Sequence, residues 1–130
     1  MRIVFGPNIL ISALVFPGNR ASAAIKRIID GDDVLVLSGA LMDDILSVLA
    51  SKFDRDKEVL SRTAVFLADL GAIVKPAKRI KLLADEPDNR VLECAVAGHA
   101  DRIVTGDKKM LQVKEYAGIR IISLKEYLEC

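Results

Sequence analysis

Val34-Leu35-Val36-Leu37 is an unbroken apolar run between the turn Gly31-Asp32-Asp33 and Ser38. A strand with one face in water alternates polar and apolar residues. A run with no polar interruption suits a strand covered on both faces, as in a parallel sheet. Ser38 has the chemistry of a helix cap, and Leu41, Ile45, Val48 and Leu49 follow it as the apolar face of a helix ending near Leu49. A buried strand running straight into an amphipathic helix is a βα unit.

The same pattern recurs on both sides. Ile3-Val4-Phe5 predicts a buried strand, and Asn8 is placed to cap a helix running to about Val15. Pro17-Gly18-Asn19 breaks it, and helical spacing resumes from Ala21 to Ile29 through Ile25, Ile28 and Ile29. A helix is predicted from about Lys57 to Leu70, with Val59, Leu60, Phe66, Leu67 and Leu70 inward and Gly71 closing it. Ile73-Val74 reads as a short strand. Residues 76–87 are mixed and end in an acidic loop. Pro87 marks a helix start, with Asp88 as N-cap and Val91, Leu92, Ala95 and Val96 on one face as far as Gly98-His99. Strands at Ile103-Val104 and Ile119 to Ile122 alternate with helices at Lys108 to Val113 and Leu124 to Leu128. This order predicts an α/β fold: a parallel sheet with helices on both faces, in one domain over residues 1–130.

Composition narrows the function. An apolar fraction of 52% supplies a sizeable core, and a net charge of +1 argues against a broadly basic coat for nucleic acid while leaving room for a local patch. Tryptophan is absent and aromatics are few, which disfavours a base-stacking sheet. Cys94 and Cys130 form no metal-binding motif; the first falls in an apolar helix and is expected in the core, the second is expected to be exposed. Met1-Arg2, the apolar run from Ile9 to Phe16 and Ala21-Ser22-Ala23 mimic an export signal, but Gly6-Pro7-Asn8 and Gly18-Asn19-Arg20 interrupt it. No apolar run is long enough to span a bilayer. A cytoplasmic protein without membrane contact is the expectation.

Ligands of open α/β sheets bind beyond the carboxyl ends of the strands. That rule points to Gly6 to Asn8, Ser38, Asp85 to Asn89 and Thr105 to Asp107. The acids placed near this edge are Asp43, Asp44, Asp85, Glu86, Asp88, Asp101 and Asp107. Asp44 shares the inward side of its helix with Leu41 and Val48, whereas Asp43 is rotated about 100° away. Asp88 stands at a helix start and Asp107 just after a strand. Converging, Asp44, Asp88 and Asp107 would repel one another unless protonated or neutralised by a cation, and an all-oxygen set suits Mg²⁺ or Mn²⁺. Each also has a plain structural reading: Asp88 and Asp107 as helix caps, Asp44 as a solvated helix residue. Ser12 and Ser38 belong to no recognisable Ser/His/Asp motif, and His99, the only histidine, sits in a helix-ending turn.

Taken together, these residues resemble the PIN domain family, specifically the VapC-like ribonuclease toxins of prokaryotic toxin–antitoxin systems. The carriers are Arg2 to Phe5 with Asn8 to Leu14, then Leu37-Ser38 with Leu41, Asp44-Ile45 and Val48-Leu49. The most specific are Asp88 to Ala95, Gly98, Ala100 to Asp107 and Leu111, with Ile119 to Leu128 also fitting. The resemblance implies a three-layer α/β/α fold with a central parallel sheet of about five strands. It implies Mg²⁺- or Mn²⁺-dependent cleavage of single-stranded RNA, an antitoxin partner and homodimers. Carried over residue by residue, it makes Asp44, Asp88 and Asp107 the catalytic and metal-binding acids and Asn8 and Thr105 supporting residues. Arg20, Arg90, Lys108 and Lys109 become candidates to contact RNA phosphates, against the plain reading that they are surface charges.

The chain also departs from the family pattern. Relatives end the first strand with Asp-Thr-Asn, where this chain has Gly6-Pro7-Asn8. Asp44 replaces a more usual glutamate, and Lys109 stands where many relatives carry another acid. Two readings follow: a metal-dependent endoribonuclease impaired by the missing strand-one acid, or a catalytically inactive PIN-like module that binds RNA, an antitoxin or its own copy. A phospho-acceptor regulator ranks last, because it needs an acid pair after the first strand.

Overall fold

The unbroken apolar runs form the centre of one sheet. The computed structural model describes residues 1–129; Cys130 lies outside them. In chain order the elements are β1 (Arg2–Phe5), α1 (Pro7–Val15), α2 (Arg20–Ile29), β2 (Val34–Ser38), α3 (Gly39–Lys52), α4 (Lys57–Leu70), β3 (Gly71–Val74), α5 (Glu86–Ala97), β4 (Arg102–Val104), α6 (Lys108–Val113), β5 (Glu115–Tyr116), β6 (Ile119–Ile122) and α7 (Leu124–Leu128). The sheet order is β3-β2-β1-β4-β6-β5. The strands β3, β2, β1, β4 and β6 form the expected five parallel strands. β5 is a sixth strand, antiparallel to β6, that the sequence did not suggest. It exists because Ala117 and Gly118, both at positive φ (52° and 81°), make the tight two-residue turn that matches strand twist.

Consecutive residues of a strand face opposite sides of a sheet. Ile3, Val4 and Phe5, then Leu35, Val36 and Leu37, then Ile103 and Val104 are all buried, so helices cover both faces and the fold is a three-layer α/β/α sandwich. From β1 the chain builds outward through β2 to β3, then returns to lay β4 on the other side of β1. The strand order therefore reverses between β1 and β4. In an open sheet this reversal opens a crevice at the carboxyl ends of those two strands. Here the crevice lies at Gly6 and Thr105, whose backbones are tied to it by Gly6 N–H donating to Val104 O at 2.8 Å and Thr105 N–H donating to Ile122 O at 3.0 Å.

Several local expectations need correction. α1 begins at Pro7, with Gly6 as its N-cap and Asn8 inside its first turn, because proline is pre-set for that position and lacks the N–H that a first turn leaves unpaired. α5 begins at Glu86 with Asp85 in the N-cap position, so Asp88 is a first-turn residue rather than the N-cap. On α4 only Leu67 is buried; Leu60 and Leu70 are partly covered, and Val59 and Phe66 are exposed. The inward face of that helix runs through Leu60 and Leu67, seven residues apart, and Val59 and Phe66 sit one step (about 100°) around it. Ile29 is likewise exposed at the end of α2. Cys94 is buried, as expected.

Two contacts fix the layers. The last turn of α5 lies so close to β2 that a Cβ built on Gly98 would sit 2.2 Å from Val36 Cγ1, which only glycine permits. At the other end of the chain, Tyr127 of α7 is fully buried, stacks edge-on to Phe5 with ring centroids 5.5 Å apart, and donates its hydroxyl to Asp33 at 2.6 Å. Arg27 of α2 donates to the carbonyls of Tyr127 and Leu128 at 2.7 Å each. No helix among the described residues is long and apolar enough to cross a membrane.

Candidate metal centre at the carboxyl edge

Three acids reach the crevice by separate local devices. Asp107 comes from the bend after β4. The buried Thr105 hydroxyl accepts the Asp107 N–H at 3.1 Å and closes that bend. Asp107 then caps α6: Oδ1 accepts from Lys109 N–H at 2.8 Å and Met110 N–H at 3.1 Å. The capping reading of Asp107 is therefore correct, but capping uses one carboxylate oxygen. Asp88 projects from the first turn of α5, where the helix dipole favours negative charge. Asp85 is the N-cap residue, yet its side chain makes no capping bond; its backbone carbonyl accepts Asp88 N–H at 3.2 Å.

Asp85 is held there by a stapled loop. Buried Asn89 makes a two-way bond with Leu83, donating Nδ2 to Leu83 O at 2.8 Å and accepting Leu83 N–H on Oδ1 at 2.9 Å. One helical turn on, buried Glu93 accepts Ile80 N–H at 2.8 Å and pairs with Arg90 at 2.8 Å. The segment between β3 and α5 thus lies along the helix and ends at the crevice.

Asp85, Asp88 and Asp107 each offer a carboxylate oxygen, and these oxygens lie within 4.8 Å of one another. Asp88 Oδ2 is buried and has no hydrogen-bond partner among the described residues. Burial first, then the charges of Asp107 and Asp85 and a hydrogen bond to Asp107, push the Asp88 carboxyl up to about 6, with Lys109 opposing them. A half-buried carboxylate beside two others is costly unless a proton or a cation neutralises it. The donors are all hard oxygens, with no thiolate or imidazole, and fit a divalent ion of the Mg²⁺ or Mn²⁺ class.

The structure brings together Asp88 and Asp107 of the expected triad, but the third acid is Asp85. Asp44 is outside this cluster. It is half-buried in a small cavity with Ala40, Leu41, Glu86, Pro87 and Arg90. The sequence carried a signal for Asp85: N-cap and N3 residues are neighbours three apart, and Asp85-Glu86-Pro87-Asp88 has that spacing. Arg90, read as an RNA contact, is instead committed to Glu86 at 3.0 Å and Glu93 at 2.8 Å, with most of its side chain covered. Asp101 lies at the opposite edge, accepting Arg2 N–H at 2.8 Å where β1 begins. Lys108 and Lys109 are exposed beside Asp107, and Asn8 and Arg20 are exposed. Gly6 is buried next to Thr105, and a Cβ there would lie 3.2 Å from Thr105 Oγ1. The missing strand-one acid would therefore have emerged beside Thr105.

The family model described as PIN domain matches residues 2–109, a span that includes all three clustered acids. This chain belongs to the PIN domain family. PIN domains generally depend on divalent metal, in keeping with the oxygen cluster. No curated protein sequence matches the chain. Among solved structures, it is similar to a chain in the crystal structure of VapBC2 from Rickettsia felis bound to a DNA fragment from their promoter. The TM-score is 0.69 at 12% identity, covering 95% of this chain and 98% of that one. A likeness at that identity concerns the PIN fold.

Proposed function

We propose that this PIN domain is an endoribonuclease that hydrolyses phosphodiesters of single-stranded RNA, with Asp85, Asp88 and Asp107 holding Mg²⁺ or Mn²⁺. The observation that carries the reading is the buried, unpartnered Asp88 Oδ2 among three carboxylates within 4.8 Å. When bound, such an ion supplies a Lewis acid for the phosphate and lowers the pKa of water. The protein's own groups do the positioning. Asp107 is locked by its two capping bonds, and Asp85 is delivered by the loop pinned to Asn89. Lys108 and Lys109 place positive charge at the rim, where phosphates must approach an acidic pocket. The site has lost charge through Gly6 and Lys109, so its metal affinity is expected to be weak. One domain over residues 1–130, a cytoplasmic setting, homodimers and an antitoxin partner belong to the same reading. The VapBC2 likeness supports the antitoxin.

The second reading, an inactive PIN module that binds RNA, antitoxin or its own copy, is favoured by the one feature that weakens the first: Gly6 offers no carboxylate. Mn²⁺ titration by calorimetry and cleavage of labelled single-stranded RNA separate them. The nuclease reading expects millimolar or tighter Mn²⁺ binding, cleavage lost in Asp88→Ala, and both properties raised by Gly6→Asp/Pro7→Thr. No binding and no cleavage by the parent chain would leave the second reading standing.

A further inference from the structure

An acidic pocket repels the polyanion it is proposed to cut, so attraction must come from elsewhere on the surface. Residues 71–84 contain Lys75, Lys78, Arg79 and Lys81 and no acid. All four are exposed, and among the described residues Lys75, Lys78 and Lys81 form no ion pair. Lys75, Lys78 and Arg79 form one wall of a cleft of about 610 Å³; Val96 and His99 at the end of α5 and Tyr116 of β5 form the others. The acid in the cleft, Glu93, is already paired: its Oε2 accepts Ile80 N–H and the Arg90 guanidinium, and its Oε1 faces Arg79 at 4.0 Å. The cleft is therefore cationic, with an aromatic and an apolar side chain in its walls. Its wall is the stapled segment whose far end delivers Asp85 to the acidic cluster. Along α5, Val96 lies eight residues from Asp88, about 12 Å. That is the length of about four stacked nucleotides.

We propose that this cleft is a second anchoring subsite for single-stranded RNA. It holds backbone phosphates on Lys75, Lys78 and Arg79 while the strand continues along the 75–85 segment to the acidic cluster. The proposal rests on the nuclease reading above. RNA is favoured over an acidic peptide because the exposed cations Lys75, Lys78 and Arg79 follow one another along a non-helical segment beside Tyr116, an arrangement that suits repeated phosphates with stackable bases.

The test is fluorescence anisotropy in EDTA with labelled oligouridines of about four and about twelve nucleotides, together with Mn²⁺-dependent cleavage of the short one. The reversal Lys75→Glu/Lys78→Glu/Arg79→Glu should weaken the long oligomer more than about tenfold and flatten its log K against log salt slope by roughly 2. Cleavage of the short oligomer should be unchanged. The charge-matched control Lys52→Glu/Arg55→Glu/Lys57→Glu, also on exposed residues, should retain long-oligomer binding, and thermal melting reports folding of both variants. Equal loss in the two variants, or no loss in the first, overturns the subsite while the parent's RNA cleavage leaves the nuclease reading intact. Equal competition by an oligoglutamate peptide overturns the RNA assignment. A parent chain that neither binds nor cleaves RNA removes the nuclease reading and the subsite with it.

Discussion

Asp88 carries two opposing demands in one side chain. As a first-turn residue of α5 it benefits from the helix dipole, and as the half-buried member of the acidic cluster it suffers desolvation and repulsion from Asp107 and Asp85. With its carboxyl pushed up to about 6, the ionised form at neutral pH is a source of instability in the metal-free protein. Asp88→Asn keeps the shape and removes the charge. In EDTA at neutral pH it is expected to stabilise the protein by roughly 1 kcal/mol, the shift being discounted for solvent screening. In the same variant Mn²⁺ affinity should fall at least tenfold. Urea unfolding with and without Mn²⁺ measures both, and a variant destabilised in EDTA would contradict the repulsion described.

At the scale of elements, α5 and the segment before it act as one piece. The Asn89 side chain bonds Leu83 rather than the clustered carboxylates, yet these paired bonds hold the segment that ends in Asp85. Asn89→Ala removes both bonds and opens a small void, with an expected loss of about 2–3 kcal/mol in urea unfolding. The more telling outcome is that Mn²⁺ binding weakens and the 75–85 segment becomes sensitive to limited proteolysis. If metal affinity stays unchanged, Asp85 is positioned by something other than this staple. Asn89 and Glu93 were unreadable as structural residues in the sequence because each bonds backbone groups of a segment that shows no periodicity of its own.

Across the whole molecule, α7 closes the fold onto β1 and α2 through Tyr127. Burial alone would raise the Asp33 pKa, but the Tyr127 hydroxyl, the Met1 ammonium and Arg27 more than reverse this and hold it below the usual carboxylate value. A depressed acid contributes stability that is present above its unfolded pKa of about 3.8 and is lost as pH falls below it. Tyr127→Phe should cost about 1–2 kcal/mol at neutral pH and leave a shallower loss of stability on acidification below about pH 4. Urea midpoints across the acid range read both effects. The order of the elements was legible because continuous apolar strands such as Leu35 to Leu37 and Ile103-Val104 can be satisfied only when buried on both faces. The site was half legible. Asp88 and Asp107 announce themselves at element junctions, but choosing Asp85 over Asp44 depended on where a non-periodic loop lies, which local pattern does not encode. The sixth strand escaped for a related reason: two residues carry no alternation, and the turn that makes them a strand places an alanine at positive φ.

Gly98 gives α5 a pivot. With no room for even a methyl group between the helix and Val36, one end of this rod, about 18 Å long, is clamped to the floor of the molecule, while the other carries the half-buried Asp88 carboxylate. A small outward tilt at the clamp would therefore swing Asp88 away from Asp107. An inconspicuous residue at the back of the sheet thus governs the alignment of the pocket at its front.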